Sequence, residues 1–171
     1  FNPDRRLAHH IHLPSQLLRA IRFGVPRILL VRHPRDATLS GIVADAGVVG
    51  PGLLLRAYID FHRRLLPSIS EIPVCRFEEL IDAPSVVVSR LNAAFATDFE
   101  SVLLSAADRA ALRTEMKTWE VGRVYLPHMH AVATAEKERL KAAFEPAVEG
   151  HPLLGLAGEL PRELLRLSAR A

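Results

Sequence analysis

The sequence predicts an α/β domain in which a parallel sheet is flanked by helices. Three observations carry this. The run Ile28-Leu29-Leu30-Val31 is apolar without a break rather than alternating, which suits a strand buried on both faces of a parallel sheet. It leads through Arg32-His33-Pro34 directly into a helical stretch, and a second short strand is expected over Ile72 to Phe77, after two helices. Strand and helix therefore alternate, as they do in α/β folds.

Taken in order, Leu7 to Leu13 (LAHHIHL) reads as a short strand or an extended segment. Pro14 suits the first position of a helix over Ser15 to Arg22, where its missing N–H costs nothing, and Gly24 ends it. The first clear strand is Arg27 to Val31. A helix follows over Asp36 to Ala46, with Asp36 as its expected cap, and Gly47 and Gly50-Pro51-Gly52 close it. The next helix, Leu53 to Leu66, places Leu54, Tyr58, Phe61 and Leu65 on one face at helical spacing. After the second strand, Asp82 and Pro84 look like N-cap and first position of a helix with Val87, Leu91 and Phe95 on its apolar face.

The C-terminal part is expected to be helical. Ser105 and Asp108 have capping-box spacing for a helix to about Lys117. Residues 119–132 read as irregular and as a border to a site. Thr134 caps a helix bearing Leu140 and Phe144 that Pro146 is expected to end or kink. A leucine-rich amphipathic helix from Pro152 to Leu167, with a break at Pro161, closes the chain and is expected to dock on the core, an oligomer contact being the alternative. With only two clear strands the sheet is thin, and its apolar edge calls for completion by an upstream segment, a partner chain or a strand without a local signal.

Composition narrows the functional classes. Hydrophobic residues are 49% of 171 and charged residues 24%, which supports a single packed domain over residues 1–171 rather than disorder. The net charge of +3 is mild, and acidic and basic residues are interleaved, which argues against a nucleic-acid partner. One cysteine, Cys75, excludes an internal disulfide and suits a reducing compartment. No apolar run has membrane-spanning length and no signal-peptide pattern opens the chain, so a cytoplasmic location without membrane association is expected.

Chemistry concentrates in Arg32-His33-Pro34-Arg35-Asp36-Ala37-Thr38-Leu39-Ser40. A guanidinium at a strand's end can grip a phosphate with two parallel hydrogen bonds, a hydroxyl in the following helix adds a donor, and the free N–H groups of the helix start favour the same anion. This stretch resembles the R-x-P-x-D-x-x-x-S turn of sulfotransferases that use 3′-phosphoadenosine 5′-phosphosulfate (PAPS). Two more stretches fit that family in order and spacing. Ile11-His12-Leu13-Pro14 is similar to its histidine-leucine-proline segment, and Val74-Cys75-Arg76-Phe77-Glu78-Glu79-Leu80 with Pro84 is similar to its R-[YF]-E-[DE]-L block.

The resemblance covers roughly residues 9–100. It implies a P-loop nucleotide-binding-like fold and transfer of a sulfuryl group from PAPS to a hydroxyl or amine of a small-molecule or glycan acceptor, without a metal. By the same resemblance Arg32 and Ser40 bind the 3′-phosphate, His12 is the catalytic base, and Arg123, in Trp119-Glu120-Val121-Gly122-Arg123, belongs to a late basic loop over the nucleotide. One signature is missing. The family's glycine-containing 5′-phosphosulfate loop has no match, since no glycine precedes Gly24 and no lysine lies in the first hundred residues. The chain is therefore expected to begin after that loop, as an N-terminally truncated domain, or to be a degenerate non-catalytic module that keeps the nucleotide grip or only the scaffold.

Plainer readings stand beside these. Arg32 can be a strand-end arginine paired with a carboxylate, and Ser40 a helix-surface serine. Phe77 and Cys75 read as core residues. The histidines His9, His10, His12, His128 and His130 suggest a metal site, but no cysteine or carboxylate is patterned to complete one.

Overall fold

The computed structural model describes residues 13–101, 105, 107–108, 110–111, 114–115 and 134–169. It is mostly helical and carries a two-stranded parallel sheet. The elements are α1 (Pro14–Arg22), β1 (Leu29–Val31), α2 (Pro34–Ala44), α3 (Pro51–Leu65), a 3₁₀ turn (Leu66–Glu71), β2 (Val74–Arg76), α4 (Phe77–Asp82), α5 (Pro84–Phe95), α6 (Ala135–Glu149) and α7 (Leu153–Ser168). In the sheet Leu29 pairs with Val74, Leu30 with Cys75 and Val31 with Arg76. The expected strand at residues 7–13 and the irregular stretch at 119–132 lie outside the described residues, except Leu13, which is neither helix nor strand.

The main core is where helices cover this small sheet. Leu29, Val31 and Val74 pack with Leu17 of α1, Leu65 of α3, Ile69 and Ile72 before β2, and Leu164 of α7. Val31 is 2% exposed and Leu164 fully buried. A second cluster joins α3 to α7 through Leu55, Ile59, Ala157 and Leu160, and a third joins α2 to α6 through Leu39, Ile42 and Val148. The C-terminal helices thus roof the sheet and the helical hairpin that follows β1.

Several expected boundaries move, each for a physical reason. α2 begins at Pro34, two residues before Asp36, because proline's fixed φ suits the first helical position. His33 is then the N-cap, and Asp36, expected as the cap, sits in the first turn with its carboxylate on Arg35. Gly47, at φ +78°, ends the α2 segment as expected, whereas Pro51 starts α3 instead of closing α2. On α3 the buried positions are Leu55, Ile59, His62 and Leu65, with Leu54, Tyr58 and Phe61 only half-buried. A helix wedged between clusters buries a wider arc than one stripe.

Downstream, β2 stops at Arg76, and Phe77, expected as the last residue of that strand, opens α4, a helix without a counterpart in the sequence reading. Glu79 defines that start: its carboxylate accepts a 2.6 Å hydrogen bond from the Arg76 N–H, which also holds its pKa below the ordinary carboxylate value. Asp82 closes α4, so Ala83 rather than Asp82 precedes Pro84 in α5. Ser105 and Asp108 form the expected reciprocal capping pair, Ser105 N–H to Asp108 at 2.8 Å and Asp108 N–H to Ser105 Oγ at 3.1 Å. Lys117, the expected end of that helix, lies outside the described residues.

Neither proline breaks its helix. α6 continues past Pro146 to Glu149 and α7 past Pro161 to Ser168. An interior proline costs a hydrogen bond and strain of about 3 kcal/mol, but here the turn beyond each proline carries buried contacts: Val148 fully buried in the first case, Leu164 in the second.

The outer rim of β2 is closed by side chains. Val74 N–H donates to Ser168 Oγ at 3.2 Å, and that hydroxyl donates to Ile72 O at 3.0 Å. Arg90 of α5 donates to Val74 O at 3.1 Å and lies 2.9 Å from Cys75 Sγ. Cys75 is fully buried, as expected of a strand thiol, and burial pushes its pKa up.

Two buried polar side chains have measurable consequences. Thr38, 2% exposed on α2, has a hydroxyl without a hydrogen-bond partner among the described residues. An unsatisfied buried hydroxyl costs ~1–3 kcal/mol. Thr38→Val is therefore expected to stabilise the fold by about 1 kcal/mol and raise Tm by about 2–4 °C; a lower Tm in a calorimetric scan would assign the hydroxyl a partner. His62, 6% exposed, donates from Nδ1 to Tyr58 O at 2.7 Å, and burial holds its pKa below the ordinary histidine value. The unfolded chain therefore binds this proton more readily, so its contribution to stability is complete above the unfolded pKa of about 6.5 and is lost as pH falls towards the lower folded value. Tm is expected to drop between pH 7.5 and 5.5 by more in the native chain than in His62→Phe, and equal drops would remove His62 as the source.

Candidate functional site

The candidate site lies where β1 runs into α2. β1 is short and buried, so its direction is set by the core, and it delivers Arg32 at the sheet's end. The chain turns through His33 into Pro34, which is fully buried and fixes the start of α2. Ser40 then lies on α2 facing back towards the strand. The two residues read from the sequence meet: Arg32 Nη1 donates to Ser40 Oγ at 2.7 Å.

Two further contacts hold Arg32. Its guanidinium carbon lies 4.9 Å from the centre of the Phe77 ring, a cation–π distance. Phe77, expected in the core, is half-buried and serves as this platform at the start of α4. The backbone is held too: Tyr58 OH donates to Arg32 O at 2.8 Å. Burial raises the Tyr58 pKa far above its ordinary value, so the phenol keeps the proton that it donates. Tyr58 is in turn backed by His62, with ring centroids 4.1 Å apart.

Arg32 lacks a carboxylate partner among the described residues. Its neighbour Arg35 is the opposite. Arg35 bonds Asp36 at 2.9 Å and Glu149 at 3.0 Å, and also pairs with Glu145. Its pKa is raised, first by the bond to Glu149 and then by that to Asp36. These bonds tie α2 to α6. Between the two helices opens a cleft of ≈ 270 Å³ whose charged lining is Arg32, Arg35, Asp36, Glu138, Lys141 and Glu145. Lys141 is itself paired with Glu138 at 2.7 Å. No family model matches the chain, and no curated protein or solved structure shows significant similarity to it.

The arrangement offers an anion a specific grip. A guanidinium has five N–H donors and one is spent on Ser40. Because Ser40 accepts from Arg32, its own hydroxyl hydrogen stays free to point at the same ligand. Stacking on Phe77 covers one face of the guanidinium and leaves its edge to make hydrogen bonds. The cleft is at the small end for a ligand pocket, sized for a phosphate and part of a nucleoside.

His12 and Arg123, and with them His9, His10, His128 and His130, lie outside the described residues. The structure therefore joins Arg32 and Ser40 and adds what sequence reasoning missed: Phe77 beneath Arg32, Tyr58 behind it, and the α6 carboxylates and Lys141 across the cleft. Tyr58 and His62 carried a sequence signal, an aromatic and a histidine four residues apart on one helix, but nothing in that spacing names Arg32 as their neighbour.

Proposed function

We propose that this chain is a sulfotransferase-like domain, with a P-loop nucleotide-binding-like fold, that holds the 3′-phosphate of PAPS through Arg32 and Ser40. The observation that carries this reading is the 2.7 Å Arg32–Ser40 contact, made by an arginine with no carboxylate partner among the described residues. Two residues eight positions apart, one at a strand's end and one inside a helix, converge with hydrogen-bond donors to spare. Their motif is the one that resembles the family's 3′-phosphate turn.

In the full reaction an acceptor hydroxyl or amine attacks the sulfur of PAPS. The bond from sulfur to the bridging phosphate oxygen breaks, and its electron pair leaves with adenosine 3′,5′-bisphosphate. The acceptor's proton goes to a base, the role that the resemblance assigns to His12. Arg32 and Ser40 act at the far end of the donor, where binding energy remote from the reacting sulfur positions it for in-line transfer. The acceptor is a small molecule or glycan in this reading, and the setting is cytoplasmic. The Arg32–Ser40 pair serves a second reading as well, a non-catalytic module that keeps only the nucleotide grip.

Calorimetric titration with adenosine 3′,5′-bisphosphate tests what both readings share. Saturable binding that depends on Arg32 is the expected result, and no binding at millimolar nucleotide would end both. Sulfuryl transfer from PAPS to a panel of hydroxyl and amine acceptors then separates enzyme from module.

A further inference from the structure

We infer that Glu145 and Glu149 of α6 are specificity-determining residues for the Arg32 site, limiting how much negative charge its ligand can carry. This rests on the reading of Arg32 as an anion anchor and adds to it. The guanidinium of Arg35 is shared by Asp36, Glu145 and Glu149, and Lys141 is taken by Glu138. Asp36, Glu138 and Glu145 line the cleft and Glu149 joins them on Arg35, so four carboxylates stand against the two paired cations Arg35 and Lys141, and Arg32 is the lining cation left without a carboxylate among the described residues. An anion docking on Arg32 meets two uncompensated negative charges.

The distance is short enough for this to matter. A cleft of ≈ 270 Å³ is about 8 Å across if round, no wider than the Debye length at physiological salt. Asp36 works in the same direction, because a carboxylate in the first turn of α2 already compensates the positive end of that helix. The pairs at Arg35 are solvent-exposed, with Glu149 54% exposed, so they are weak as structural ties. Their larger effect is on the field at Arg32. The site is thus tuned to hold an anion loosely, and more loosely the more charge it brings.

The test is calorimetric titration at low ionic strength with two probes, adenosine 3′,5′-bisphosphate and adenosine 3′-monophosphate. The proteins are the native chain, E149Q, E145Q/E149Q and each of these with R32A. Binding is expected to tighten by roughly threefold in E149Q and roughly tenfold in the double variant. The gain should be larger for the bisphosphate, shrink in 0.5 M NaCl and vanish in the R32A background. A residue that only shaped the cleft would not make affinity follow ligand charge. Should the double variant unfold, E149Q alone decides, since Asp36 and Glu145 still hold Arg35 there. Unchanged or weaker binding in the glutamine variants, or a gain that persists with R32A, overturns the inference while leaving the anion anchor intact. If R32A itself costs no affinity, the anchor fails and this inference with it.

Discussion

Arg32→Ala is expected to weaken binding of adenosine 3′,5′-bisphosphate by thirtyfold to a thousandfold, from the loss of about 2–4 kcal/mol in charge-assisted hydrogen bonds. Three parts of the fold hold this guanidinium for the ligand: Ser40 takes one N–H, Phe77 covers one face, and Tyr58 fixes the backbone. Because the group is pre-positioned, little side-chain freedom remains to be lost on binding, and its removal deletes the anchor outright. Arg32→Lys keeps the charge but not the planar fork, so it should recover only part of the affinity. Far-UV circular dichroism and Tm on the same samples separate a lost ligand contact from a lost fold. Equal affinity in the native chain and Arg32→Ala would sink the assignment.

The largest expected effect on stability is at Leu164. Leu164→Ala should cost about 2–5 kcal/mol, a large share of the ~5–15 kcal/mol that holds a typical domain together. Leu164 is fully buried in the cluster that also holds Leu17, Leu29, Leu65 and Val74, so it belongs to a core shared by α7, both strands and two other helices. Neighbours drawn from four elements cannot easily collapse into the void, which places the substitution high in that range. Urea denaturation should show a lower midpoint with an unchanged slope. A loss below about 1 kcal/mol would mean that α7 is not a fixed part of the core.

How much of this was legible depended on the range of the forces involved. The apolar run before Arg32 and the prolines at the starts of α1 and α5 act locally, and the strand and those helices lie where spacing puts them. Pro146 does not end its helix and Pro161 does not break its own because a proline's cost is local while the offsetting burial of Val148 and Leu164 comes from distant elements. Asp36 was misread as a cap because its first-turn position and its cation, Arg35, depend on where Pro34 starts the helix. At the site, Arg32 and Ser40 could be paired from the motif that carries the resemblance, and they lie on adjacent elements. Phe77, Tyr58 and the α6 carboxylates could not, because each reaches the cleft from another part of the chain. Among the described residues the fold is mostly helical with a two-stranded parallel sheet.

The closed rim of β2 sets a limit on self-association. In a parallel ladder alternate residues face each neighbour, and Leu29 N–H reaches Pro73 O, so Val74 faces away from β1. Its N–H and C=O are already engaged by Ser168 and Arg90, and the Arg76 N–H by Glu79. Growth of a fibril by strand addition requires two accepting edges on every molecule. Here one is stoppered from within, leaving at most the rim of β1, so edge-to-edge pairing of two copies closes on itself and goes no further.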